Sequence, residues 1–353
     1  MSDLTELAKL VFLETLSAIE PASKTKEKLR IEAGTLDVAG ELISLDRYRE
    51  VVLIGMGKAS MKMGAAIESL LRDRVTRGIL VTNHPFDIDT RSEVVIAGHP
   101  LPDEESLRAA EKMIDLVRSC GRYSLIIFLI SGGGSSMVEL PLSREISLED
   151  LRRTNQLLIS CGASIHEINV VRKSLSRIKG GRLGYLARAS KRIGLYVSDV
   201  NPGDIISIAS NPLLPEAATK EAFFDVIDKY RLKERLPSSV VETINQPSLF
   251  RFADESGAPD EDPLAVLVMD NTDALRAAAD AASKRGFEVE VEYDLIEGPY
   301  ESVADELITR LLKFKSRARG PVCLISGGEV SCPVRAGGYC PNVCCSDYLL
   351  PNQ

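Results

Sequence analysis

The chain has no surplus of basic residues: 43 Lys and Arg stand against 51 Asp and Glu, a formal net charge of −8 with the three His neutral. Proteins that coat nucleic acid neutralise phosphates with excess Lys and Arg, so no nucleic-acid partner is expected. A small anionic substrate remains open, because a pocket can be basic within an acidic chain. Long hydrophobic runs are also missing. The longest, at 125–130 (LIIFLI), falls far short of the ~20 residues that cross a bilayer. The opening MSDLTELAKL carries acidic residues where a signal peptide would be positive. Cysteine is sparse until the end: Cys120 and Cys161 are isolated, and Cys323, Cys332, Cys340, Cys344 and Cys345 crowd the C-terminus. That is no secreted disulfide framework, and a reducing, cytoplasmic setting without a membrane partner is expected. His84, His99 and His166 lack metal-ligand spacing, no nucleophilic triad is apparent, and they read as structural or as supports behind a site's ligand contacts.

A chain of 353 residues, 44% hydrophobic and 27% charged, is expected to form two domains whose cores need neither disulfide nor metal. Short β-branched runs alternate with helical patterns, which predicts parallel α/β layers. Strands are expected at 51–54, 78–82, 94–97, 125–130 and 193–197. Helices are expected at 59–71, from Asp103, and from the capping box Ser147-Leu148-Glu149-Asp150. Residues 1–235 read as one domain and 236–262, rich in Pro, Ser, Asp and Glu, as a linker. A smaller α/β domain is expected at 263–353, with strands at 264–269, 288–293 and 322–325.

Three strands are expected to end in glycine turns, GMGKAS at 55–60, SGGGSS at 131–136 and SGGE at 326–329. Glycine there permits positive φ and close approach of a ligand to backbone N–H groups, which suits a phosphate or carboxylate at the sheet edge. Neither common nucleotide signature is present. A P-loop needs Gly-Lys-Ser/Thr, but Ala59 follows Gly57-Lys58 and Val52 stands where the first glycine belongs. The dinucleotide fingerprint needs a third glycine where Ser60 stands, and an acidic residue near Thr82-Asn83. Lys58, at the junction of strand, glycine turn and helix, reads either as a contact to an anionic ligand or as a solvated first-turn residue; lysine is unfavourable beside a positive helix end, which favours the ligand. The segment 169–183 is dense in Lys and Arg and ends in Gly-Gly. It reads either as a solvated helix face or as a basic loop over anions. Asp199 and Asp204 flank a Pro-Gly turn, a place for Mg²⁺ ligands or for routine turn residues.

Taken together, GMGKAS, AGHPLPDEESL at 97–107, LISGGGSS, INVVRKSLSRIKGGRL, YVSDVNPGD followed by IAS, and LISGGEV resemble the glycerate 2-kinases, whose C-terminal part is called the MOFRL domain. The resemblance runs in order from about residue 1 to Arg335. It implies a parallel, Rossmann-like α/β/α sandwich with a second, smaller and here incomplete α/β domain, and an active site in the cleft between them. The implied reaction moves the γ-phosphoryl of ATP to the 2-hydroxyl of D-glycerate with Mg²⁺. Lys58 is implied as the active-site lysine, on the phosphoryl group or the glycerate carboxylate. Gly55, Gly57, Ser131, Gly132, Gly133, Gly134, Ser135 and Ser136 are implied as nucleotide and phosphate contacts. Arg172, Lys173 and Lys179 would add charge for the substrate, and Asp199 and Glu329 would hold Mg²⁺ or orient the attacking hydroxyl. Ser174 stands where many relatives have His. Some relatives are labelled hydroxypyruvate reductases. NAD(P)H-dependent reduction is therefore the alternative activity, opposed by the missing fingerprint, and a homo-oligomer is left open.

The end of the chain departs from the family. Residues 336–353 contain no Lys, Arg or Glu, one Asp and three Cys. In relatives the glycines matching Gly337-Gly338 lead into Arg-Asn-Gln-Glu, whereas Tyr339 follows here. A zinc site is disfavoured because adjacent Cys344-Cys345 lacks paired spacing. The expectation is an aberrant end from a frame slip or an alternative terminus. It carries with it a second alternative, a catalytically impaired form that binds nucleotide or sugar acid.

Overall fold

The computed structural model describes residues 2–200, 203–216, 219–246 and 261–331. In chain order, α1 (Ser2–Ala18) and α2 (Pro21–Glu27) precede a small sheet of β1 (Leu29–Glu32), β2 (Thr35–Val38) and β3 (Glu41–Ser44). An α/β alternation follows: β4 (Glu50–Met56), α3 (Ser60–Leu71), β5 (Val75–Thr82), β6 (Glu93–Ile96), α4 (Glu104–Arg118) and β7 (Ser124–Ser131). Helices α5 (Gly134–Met137), α6 (Leu148–Ser160), α7 (Ile165–Leu175) and α8 (Arg182–Leu186) lead to β8 (Lys191–Val197). The chain continues through α9 (Lys220–Lys229), α10 (Ser238–Ile244), β9 (Leu264–Met269), α11 (Asn271–Ser283), β10 (Glu288–Pro299), α12 (Tyr300–Arg317) and β11 (Val322–Ser331). Among the described residues no helix is long and apolar enough to cross a membrane.

The larger unit, Pro21–Asp270, is built on a six-stranded sheet in the order β6-β5-β4-β7-β8-β9, every pair parallel. Parallel strands covered on both faces must be apolar on both, and every residue of β7 is buried. Alternation along β4 shows the two layers. Val51 and Leu53 face α3 through Met63 and Ile67, while Val52, Ile54 and Met56 face α4 through Ala110 and Met113. The chain winds outward from β4 to β6, returns to the other side of β4 as β7, and winds outward again. The carboxyl ends of β4 and β7 therefore form the switch point where such sheets bind ligands.

The division into units differs from the one expected at 236–262. Strand β9 belongs to the large sheet, pairing β8 through Leu195↔Val266 and burying Val266 and Val268. Helix α10 lies inside the supposed linker and packs Val240 and Ile244 with Ile168 and Leu175 of α7; residues 247–260 are outside the described ones. The second unit joins α1 to the chain from Asn271. Val11 packs with Leu275, Ala281, Ala282 and Ile325, and Glu14 pairs with Lys284 at 3.2 Å and Arg285 at 2.7 Å. Its two strands, β10 and β11, are parallel. SGGE lies within β11, with Gly328 opposite Ile296, so it is not a strand-to-helix turn. The atypical tail 336–353 is outside the described residues.

The capping box opening α6 at Ser147 is present as expected. A second opens α7, where Ser164 and Glu167 bond reciprocally. The Glu167 carboxylate also accepts from Lys229 Nζ at 2.5 Å and Tyr230 Oη at 2.9 Å, joining the start of α7 to the end of α9. These donors, Lys229 foremost, hold its pKa down to about 2. A depressed carboxyl stabilises the fold above its ordinary range, and the stabilisation is lost as pH falls through that range toward 2. Glu167→Gln should therefore lower the melting temperature at pH 7, and the difference from the parent should shrink between about pH 4.5 and 2, as read by melts across pH.

Candidate active site

The two loops at the switch point are bonded to each other. Lys58 N–H donates to Gly132 O at 2.9 Å. Ala59 N–H donates to Ser131 Oγ at 3.0 Å, and that hydroxyl donates to Met56 O at 3.4 Å. Gly57, at φ +110°, lies so close to Ser131 that a Cβ would overlap its carbonyl and hydroxyl. Three expected phosphate contacts are therefore corrected. Ser131 is buried with its hydroxyl used between loops, Gly57 lets the loops touch, and Gly55 lets Leu80 and Ser60 close over β4. All three shape the site from behind, as does a fourth expected contact, Gly134, which is buried against Ala209 and Met56.

What faces outward is Lys58, Gly132, Gly133, Ser135 and Ser136, each half-exposed. The Lys58 ammonium makes no hydrogen bond or ion pair among the described residues, and its Cγ lies 3.4 Å from where Gly133 would carry a Cβ. His99 Cε1 stands at the same 3.4 Å, and His99 Nδ1 shares a 3.0 Å hydrogen bond with Ser136 Oγ. His99, read from sequence as structural or as a support behind the ligand contacts, takes the second of these places, and its position just after β6 puts it at the same sheet edge. The exposed Asp199 carboxylate packs against Gly132 from the loop after β8, with no room for a Cβ between them. Asp204 instead caps the following turn, accepting from Ser207 N–H at 3.2 Å.

Behind this surface, Ala209, Ser210 and Asn211 are three successive non-glycine residues in the left-handed region, at φ 50°, 54° and 47°. Each costs about 1–3 kcal/mol, a conformation that survives only where surroundings impose it. Gly180 N–H donates to Ser210 O at 3.1 Å and Gly181 N–H to Asn211 O at 2.8 Å. Ala209 abuts Gly134, and Ser210 Oγ lies 2.9 Å from Ser135 Oγ and 3.1 Å from Asn169 Oδ1. Asn169 and Ser210 lie within the INVV and IAS stretches, but an amide and a hydroxyl there carry no signature that assigns either a role.

Residues 7–245 match the family described as a domain of unknown function, DUF4147. The chain is 31% identical to the glycerate 2-kinase of Pyrococcus horikoshii over 95% of its own length and 76% of that protein's. It is 30% identical to the D-glycerate 2-kinase of Thermotoga maritima with the same coverage. The chain belongs to the glycerate 2-kinase family. A crystal structure titled glycerate kinase from Thermotoga maritima superposes with a TM-score of 0.74 at 28% identity, covering 96% of this chain and 77% of that one.

In this glycerate 2-kinase family member Lys173, Lys179 and Arg182 of the basic segment are buried, and Arg172 and Arg177 are half-exposed. Lys179 is 1% exposed and bonded to Glu139, itself 6% exposed. Lys173 is buried and pairs with Glu216 at 2.5 Å. Both are corrected from substrate contacts to internal ion pairs, since their charges are already matched by carboxylates far off in sequence. Arg182 donates to Lys173 O near the end of α7 and, at 2.8 Å, to the O of Ser176 just beyond it. Arg172 is half-buried, its Nε bonded to Asn155 Oδ1 at 2.9 Å, one helical turn beyond Asn169. Burial pulls Lys179, Arg172 and Arg182 below their ordinary values, Arg182 to about 10, against the opposing pull of Glu139.

Glutamate 329 lies in β11, but its side chain is outside the described residues. Among the described residues no three His, Cys, Asp or Glu side chains group as a metal site. Asp199 alone fits the way Mg²⁺ is usually held, by one or two carboxylates with phosphate oxygens and water. Because one carboxylate answers three cations, Glu139→Gln should destabilise the fold by about 3–5 kcal/mol, and Lys179→Met by less. Urea melts of the two variants check the order.

Proposed function

We propose that the chain transfers the γ-phosphoryl of ATP to the 2-hydroxyl of D-glycerate, giving 2-phospho-D-glycerate and ADP. One observation carries this beyond family membership: Lys58, a lysine without a counter-ion among the described residues, is fixed by its own backbone to the glycine turn at the switch point. Phosphoryl transfer needs little covalent help from protein and much preorganised positive charge beside the moving oxygens. Lys58 and the Gly132–Gly133 backbone supply that charge and close approach. Arg172 serves the substrate carboxylate, on the helix that also carries Asn169. Asp199 would hold Mg²⁺, which would supply neutralising charge for the phosphates. Nicotinamide chemistry gains no support, since β5 ends at buried Thr82, where the fingerprint places a carboxylate for the ribose. A cytoplasmic setting accords with the sparse cysteines.

A coupled assay of glycerate-dependent ADP release tests this. Lys58→Ala should lower turnover about 10²–10³-fold while the melting temperature stays within a few degrees of the parent; unchanged turnover would remove Lys58 from the site. Asp199→Asn should raise the Mg²⁺ concentration for half-maximal rate, and an identical Mg²⁺ titration would leave Asp199 as a turn residue only.

A further inference from the structure

The hydrogen bonds behind the glycine turn fix which way one hydroxyl faces. A serine hydroxyl has a single hydrogen to donate and two lone pairs to accept with. Ser210 Oγ donates to Asn169 Oδ1 at 3.1 Å, which uses its only hydrogen. The Ser135 and Ser210 oxygens are 2.9 Å apart, a hydrogen-bond distance that needs one hydrogen between them. That hydrogen must come from Ser135. Ser135 is then left with lone pairs alone for anything bound in front of it.

We propose that Ser135 is an acceptor that holds a hydroxyl of the substrate acid, and is not part of a phosphate cradle. This rests on the glycerate-kinase reading above. Phosphate oxygens also present only lone pairs, so an oriented acceptor repels them, whereas a hydroxy acid brings the donor that Ser135 requires. The polarity is built in. Ser210 and Asn169 are 1% and 5% exposed, so bulk water does not compete to turn either group. Ser210 sits in the strained left-handed turn, held by the Gly180 and Gly181 N–H groups, and that conformation sets its hydroxyl between Asn169 and Ser135. Ser210 and Asn169 are thus positioning residues and Ser135 the substrate contact. The Asn169 amide turns its Oδ1, which can only accept, toward the Ser210 hydroxyl.

The full chain and its Ser135→Ala, Ser210→Ala and Ser210→Thr variants would be compared by ADP release with each substrate varied, and by calorimetric titration with ATP alone and glycerate alone. Ser135→Ala should raise KM for glycerate about tenfold and leave the ATP Kd within about twofold. Ser210→Ala should move KM for glycerate in the same direction, and Ser210→Thr, which keeps the hydroxyl, should restore it. A weakened ATP Kd with an unchanged glycerate KM would overturn the proposal and return Ser135 to the phosphates. If the parent releases no ADP with glycerate, the kinase reading fails separately. The glycerate titration then decides: weaker binding by Ser135→Ala than by the parent upholds the acceptor role, and equal or absent binding by both overturns it.

Discussion

Much of this site hangs on one buried carboxylate. Glu139 follows the short helix of the SGGGSS turn and meets Lys179, with Arg172 and Arg182 close enough for their charges to feel it. Lys179 immediately precedes Gly180 and Gly181, whose N–H groups hold the carbonyls of Ser210 and Asn211. The pair therefore fixes a loop, the loop imposes a strained turn, and the turn touches the glycine loop from behind. Three cations around one carboxylate are poor stabilisers taken as charges, because desolvation opposes each of them. Their effect is geometric: every backbone segment behind the ligand face is tied to a partner that cannot slide.

The glycines of the motifs divide by physical task. Gly55 and Gly57 are gaps that let Leu80, Ser60 and Ser131 close in, so a side chain at either would push apart the strands and loops that define the edge. Gly132 and Gly133 leave room on the outer side, where Asp199, His99 and Lys58 converge. A sequence motif prints all four alike. Only the depth at which each lies tells a packing glycine from one that faces a ligand.

The sheet was legible because its strands are apolar on both faces, and β4 and β7 also run straight into glycine, which left 51–54 and 125–130 little else to be. The capping box at Ser147 was legible for the same local reason. The small sheet at 29–44 was missed: its strands are four residues each, too short for alternation to stand out. The fate of Lys173 and Lys179 could not be read, since their carboxylates lie 43 and 40 residues away in sequence. A run of cations looks the same whether it faces solvent, a ligand or a buried glutamate. The boundary between units failed for a related reason, because nothing local in LAVLVM says that it closes the large sheet.

The second unit is stitched from distant parts of the chain. Helix α1 finds its packing partner in α11, roughly 250 residues later, so at ribosomal speeds of about 5–20 residues per second it emerges roughly ten to fifty seconds before that partner exists. During that interval Val11, buried in the finished unit against Leu275, Ala281, Ala282 and Ile325, has no native surface to cover it. The large sheet can complete itself in the meantime, since all its strands lie between. A helix kept waiting in this way is a natural client for a holding chaperone, and the last step of folding is then the capture of the first element made.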